Sequence, residues 1–162
     1  RLFFHICVAG RGIPRGYAFR DRKKGDFMVT ATMEAFLPYS LSRVWQLVTA
    51  VEDYAWRSDL ERTEVLEGGR FVEYAKGGYA TAFTTTLLQP CRRWEFDLEN
   101  NNLRGHWAGT FSARPGGTVL CFTETVSVKR PFLKPFVKTY LKRQQRRFLK
   151  DLRNALQDRP LR

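Results

Sequence analysis

From Leu60 to Lys129 apolar and polar residues alternate in short runs, and each run stops at a turn signal. Gly68-Gly69, Gly77-Gly78 and Gly116-Gly117 are Gly-Gly pairs of the kind that close two-residue hairpins. Pro90-Cys91 and the Asn100–Asn102 run mark two further joints. The pattern predicts six consecutive antiparallel strands, a meander. Ahead of it, Val29 to Phe36 is short, Thr-rich and free of Gly and Pro, which predicts one more strand, ended at Pro38. Ser40 then offers an N-cap, and Val44, Trp45, Leu47, Val48 and Val51 fall on one helical face that fades at Glu52-Asp53. After the meander, Phe132 to Asp158 reads as a long helix. Its apolar stripe is Leu133, Val137, Tyr140, Leu141, Phe148, Leu152 and Ala155, with Lys138, Lys142, Arg146, Lys150 and Arg153 towards the back. Pro131 suits a helix start, and Pro135 predicts a bend or a late start.

The turns fix registers that can be tested against the pattern. A two-residue turn at Gly116-Gly117 sets Trp107 against Val126, Phe111 against Phe122 and Ala113 against Leu120. The large apolar residues then share one side, while His106, Thr110, Ser112, Cys121 and Thr123 take the other. A turn at Asn101-Asn102 sets Phe96 against Trp107 and Glu99 against Arg104, with the same sorting. Two independent turns agree, so one face of the sheet is buried and one is wet.

A curved sheet with one apolar face must cover it, and the final helix is the only element long enough. This order is carried by "LPYSLSRVWQLVTAVEDYAWRSDL", "GGTVLCFTETV" and "FVKTYLKRQQRRFLKDLRNAL". It resembles the START/SRPBCC superfamily, in particular its polyketide cyclase/dehydrase-like members, over about Met28 to Asp158. Where that family usually has Pro before the Trp of the first motif, this chain has Ala55. The resemblance implies an α+β helix-grip fold: a curved antiparallel seven-stranded sheet wrapped around a long C-terminal helix, with two short helices after strand 1. In such a fold the short helices close one end of the groove between sheet and helix. Trp56 then plugs that end or walls a cavity, unless it only packs the corner.

Composition narrows this picture. The chain has 162 residues and a net charge of +12. Residues 1–27 hold seven Lys/Arg and two Asp/Glu, residues 28–128 nine and twelve, and residues 129–162 twelve and two. The body is mildly acidic and both ends are basic. No apolar run approaches the roughly 20 residues of a membrane span. Three cysteines, Cys7, Cys91 and Cys121, form no C-x-x-C pair and suit a reducing cytoplasm. Residues 1–27 have no sustained period and make a poor secretory signal. "KKGDFM" can be encoded by a purine-rich ribosome-binding sequence before an ATG. The expectation is a natural start at Met28, with a leader or a disordered basic arm before one domain over 28–158.

Familiar catalytic patterns are missing from the sequence: no G-x-S-x-G, P-loop, H-E-x-x-H or G-x-G-x-x-G. His106 falls on the wet face beside Asp97, without companions for a metal. Two polar residues interrupt the apolar pattern. Glu124 shares a face with Phe122 and Val126, opposite Gly109, whose missing side chain leaves it room; Gln144 lies in the stripe of the last helix. A buried carboxylate or amide needs a partner, from the core or from a ligand. Glu64 and Glu73 face one another if Gly68-Gly69 is a two-residue turn, an arrangement better placed in solvent; the parity of strands 60–90 stays open.

The expected cavity lining is Trp56, Tyr74, Phe83, Phe96, Trp107, Glu124, Tyr140 and Gln144, with no cofactor and no metal. The leading reading is a cytoplasmic domain that binds a hydrophobic small molecule or lipid. The resemblance leaves open a polyketide aromatase/cyclase-type enzyme in which Glu124 or Tyr140 moves protons. A third reading is an interaction module that uses the basic back of the final helix at a membrane surface or on RNA. The back carries no stacking aromatics, which disfavours nucleic acid and leaves peripheral membrane contact.

Overall fold

The computed structural model describes residues 27–158, and the expected leader or arm lies outside these residues except at Phe27. Strand β1 (Met28–Leu37) is followed by helix α1 (Leu41–Thr49). The meander follows as β2 (Leu60–Val65), β3 (Arg70–Ala75), β4 (Ala80–Gln89), β5 (Arg93–Glu99), β6 (Leu103–Arg114) and β7 (Gly117–Val128). A single 3-10 turn, Pro131–Leu133, leads into α2 (Lys134–Asp158). The late start of α2 after Pro131 follows from the two prolines, which can occupy only the first turn of a helix. The seven strands form one antiparallel sheet in the order β1-β7-β6-β5-β4-β3-β2. The meander lays each strand beside its predecessor, and β1 closes on β7. The fold is α+β and helix-grip, with α2 across the apolar face.

Helix α1 buries Val44 and Val48. Ser40 holds the N-cap position with extended backbone, but its hydroxyl makes no capping bond. A second short helix does not follow; residues 51–58 are a succession of turns. They are tied down by side chains instead. The Ser58 amide and hydroxyl both donate to Asp151 Oδ2 on α2, at 2.8 and 2.7 Å, and Thr63 Oγ1 donates to the Val51 carbonyl at 2.9 Å.

Three hairpins differ from the two-residue Gly-Gly pattern. Arg114 pairs with Gly117, so the last turn is Pro115-Gly116 rather than Gly116-Gly117. Proline fixes its own φ and Gly116 takes φ +80°, the combination a type II turn requires. The register slides by two residues, which keeps every face but changes every partner. Trp107 opposes Glu124, Phe111 opposes Leu120, and Ala113 opposes Thr118. The other two loops hold three residues each. Leu66 bonds Arg70 around Glu67-Gly68-Gly69, and Ala75 bonds Tyr79 around Lys76-Gly77-Gly78. An odd loop shifts pairing by one and so swaps faces. Thr63, not Glu64, therefore opposes Glu73. The β5–β6 register is the expected one, with Phe96 against Trp107 and Glu99 against Arg104. Asn100 Oδ1 closes that turn by accepting from the amides of Asn102 and Leu103.

Candidate functional site

Between the inner face of the sheet and α2 runs a groove of about 710 Å³. Its sheet wall is aromatic because alternate residues of neighbouring strands share one face. Phe71 stacks on Phe83 at 4.6 Å between ring centroids, and Phe96 stacks on Trp107 at 4.8 Å. Phe83 meets Phe96 edge-on at 5.3 Å, and Trp94 meets Phe96 at 4.9 Å. Gly109 is needed for this wall. A Cβ there would lie 2.2 Å from Cη2 of Trp107, so the indole lies across the glycine. The space expected beside Gly109 for Glu124 is thus filled by Trp107, and Gly109 itself opposes Phe122.

Seven of the eight expected lining residues border this groove: Trp56, Phe83, Phe96, Trp107, Glu124, Tyr140 and Gln144. Tyr74 does not. The odd loops turn it to the outer face, where its hydroxyl donates to Glu64 at 3.1 Å and Arg62 lies 3.4 Å over its ring. Glu73 takes the inner position instead. Trp56 meets Phe148 of α2 edge-on at 5.5 Å, so the indole walls the groove where the turns after α1 reach the helix. Tyr140 is a rim residue, about half exposed, and accepts a bond from Gln144 Nε2 at 3.1 Å. The amide at the centre of the buried stripe is Gln145. Its Nε2 donates to the Ala31 carbonyl at 2.9 Å, while its buried Oε1 has no partner. Adjacent helix positions lie about 100° apart, so a small error of phase selects the wrong glutamine.

The sequence reading missed a charged cluster at the Trp56 end. Arg57 Nε and Nη2 donate to the two carboxylate oxygens of Asp59, each at 2.9 Å, and Nη1 reaches Glu73 Oε1 at 3.4 Å. The guanidinium lies 5.2 Å from the ring centroid of Phe148. Burial opposes the Arg57 charge, but Glu73 and Asp59 outweigh it and hold its pKa above the ordinary value. Burial also opposes ionisation of Asp59; the two bonds from Arg57 overcome it and hold that carboxyl below its usual range. Glu73 goes the other way: burial pushes it up, and Arg57 offsets only part. The Arg57-Ser58-Asp59 run beside Trp56 was the available signal, since charges at an apolar corner need partners.

Glu124 lies further along the groove with no hydrogen bond or ion pair to its carboxyl among the described residues. Burial first, and then the charge of Glu73, push it up to about 7. On the outer face, His106 Nδ1 lies 2.7 Å from Asp97 and Nε2 3.3 Å from Glu95. That imidazole is held by two carboxylates away from the groove. Among the described residues no group of three His, Cys, Asp or Glu is placed to hold a metal ion.

A concave, largely aromatic groove with a few polar groups under a long helix has the general form that small-molecule sites share. The chain matches the family described as polyketide cyclase/dehydrase and lipid transport over residues 28–157, and it belongs to that family. No curated protein matches it. Among solved structures, a START superfamily protein from Mycobacterium smegmatis aligns with TM-score 0.71 and 16% identity, over 81% of this chain and 97% of that one. The Zhui aromatase/cyclase from Streptomyces sp. R1128 aligns with TM-score 0.69 and 13% identity, over 80% and 93%. An uncharacterised protein from Rhizobium leguminosarum aligns with TM-score 0.68 and 18% identity, over 83% and 98%. At these identities the three establish the shared fold.

Proposed function

We propose that this protein binds a hydrophobic small molecule or lipid in the groove, with a hydrogen-bond donor of the ligand meeting Glu124. The observation that carries this reading is the carboxyl of Glu124, set without a partner in an aromatic groove of about 710 Å³. The carboxyl borders the groove without a protein partner among the described residues, and a ligand hydroxyl or amide would meet it there. Membership of a family whose description includes lipid transport supports the same reading.

Titration with a fluorescent fatty acid tests this. Glu124→Gln should weaken binding of a hydroxylated probe about tenfold and leave its deoxy analogue almost unaffected. Equal affinities of both probes for both proteins would remove Glu124 from the site. No saturable binding at all would overturn the reading.

One observation favours a second reading. A carboxyl that titrates near neutrality, with a second raised carboxyl close by, can both give and take a proton. An aromatase/cyclase-type enzyme would use Glu124 in that way on a folded poly-ketone. Appearance of aromatic absorbance from a linear poly-β-ketone analogue, lost in Glu124→Gln, would establish it.

A further inference from the structure

The mouth of the groove carries an apolar surface that binding inside the groove does not explain. Phe132, Phe136 and Tyr140 are 66%, 68% and 51% exposed. Phe136 and Tyr140 stand four residues apart on α2, and Phe132 lies one turn earlier, so the three follow one another along the rim. Across the opening, Tyr79 of the β3–β4 loop is 62% exposed. Large aromatics in such a row mark an interaction surface. Their setting is strongly cationic. Between residues 129 and 150 the chain has nine Lys/Arg and no Asp/Glu. Arg130, Lys138, Lys142 and Arg143 have no carboxylate partner among the described residues.

We propose that this rim docks the protein on the surface of an anionic lipid bilayer, with the mouth of the groove facing the lipid. Aromatic side chains flanked by Lys and Arg match the interface, where rings enter the headgroup boundary and cations meet anionic lipid. Charge selects among occupants. A second copy would set nine cations against nine. A nucleic acid would satisfy the cations, but the exposed apolar row and the groove of Phe and Trp rings behind it complement lipid chains, not a phosphate chain. A bilayer needs only the rim, and it brings a hydrophobic ligand to the mouth. The inference goes beyond ligand binding; Phe136, Tyr140 and Tyr79 are shared with the groove's edge, whereas Phe132, Lys138 and Lys142 lie outside its lining.

Co-sedimentation of the full chain with vesicles tests it. The protein should pellet with phosphatidylcholine/phosphatidylglycerol vesicles, not with phosphatidylcholine alone, and should come off as salt is raised. Phe132→Ser should reduce partitioning about tenfold. The Lys138→Glu, Lys142→Glu double variant should reduce it at least about tenfold. None of these residues lines the groove, so both variants should keep the wild-type melting temperature and fatty-acid affinity. Loss of probe binding in wild type with vesicle binding intact would remove the groove ligand and keep the docking surface. No binding to anionic vesicles, or binding that ignores Phe132 and follows charge alone, would overturn the proposal. Tighter binding to single-stranded RNA than to the vesicles would overturn it as well.

Discussion

At the scale of single residues, Glu124 sets the strongest expectation. Its folded-state pKa of about 7 lies above the 4.5 of an ordinary glutamate. Folding therefore favours the protonated form. The contribution of this group to stability is complete below about pH 4.5 and is lost as pH rises through about 7. The full swing is roughly 1–3 kcal/mol, given the usual worth of a pKa unit and partial contact with solvent. Melting curves from pH 4 to 8 should show wild type losing ground against Glu124→Gln across that window, with the variant the more stable above it. Parallel curves would mean that the carboxyl is solvated. Gly109 gives a second expectation. A methyl group there meets the Trp107 indole, so Gly109→Ala should cost about 1–3 kcal/mol as an overpacked site. The displaced indole has the groove on its open side, so fatty-acid affinity should fall as well. Unchanged affinity and stability would show that the wall yields freely.

At the scale of elements, α2 holds the sheet through a narrower stripe than its length suggests. Leu141 and Leu152 are 1% and 0% exposed, and Leu152→Ala should cost about 2–5 kcal/mol. Phe148 is only half-buried and touches Trp56 and Phe122 by ring edges at 5.5 and 5.7 Å. Phe148→Ala should cost about 2 kcal/mol and lower probe affinity, because this ring lines the groove. Urea unfolding of both variants checks the order, and a larger loss at Phe148 would mean that the helix sits rotated towards the rim. The same contrast shows what was legible in the sequence. Alternation over β5, β6 and β7 marks Phe96, Trp107 and Glu124 as inner residues, because a slide of two residues at the last turn leaves every face in place. Alternation fails at β2 and β3, where two three-residue loops swap faces. That one-residue difference exchanges Tyr74 for Glu73, and Gly-Gly pairs serve loops of either length. The Arg57–Asp59–Glu73 cluster depends on the swap, so it was beyond the reach of periodicity. Gln145 depends on the rotational setting of α2, which packing decides.

At the scale of the whole molecule, the groove and the fold share one free energy. A domain of this size has a net stability of about 5–15 kcal/mol. The rings of Phe71, Phe83, Phe96 and Trp107 border a space of about 710 Å³, so the folded chain alone does not give them a full set of packing partners. A ligand that fills the space binds the folded state and not the unfolded one. At a hundred times its Kd it adds about 2.7 kcal/mol. For a domain of this length that is a rise in melting temperature of roughly 10 °C. Freshly purified protein should therefore melt above protein stripped by organic extraction. Adding back a long-chain fatty acid should restore the difference, with a shift that grows with the logarithm of its concentration. Native mass spectrometry of the unstripped sample should show the extra mass that the stripped sample lacks. The electrostatic arrangement sharpens the expectation. Glu124, raised by burial, has no ion pair to its carboxyl among the described residues, so a ligand carboxylate laid beside it would be repelled once it ionises, whereas a hydroxyl would be accepted. A fatty alcohol should then stabilise more than the fatty acid of the same length at pH 8, and the two should converge near pH 5. If the stripped and unstripped proteins melt together, and neither alcohol nor acid moves them, the aromatic wall supports the curved sheet unaided and the carrier reading fails.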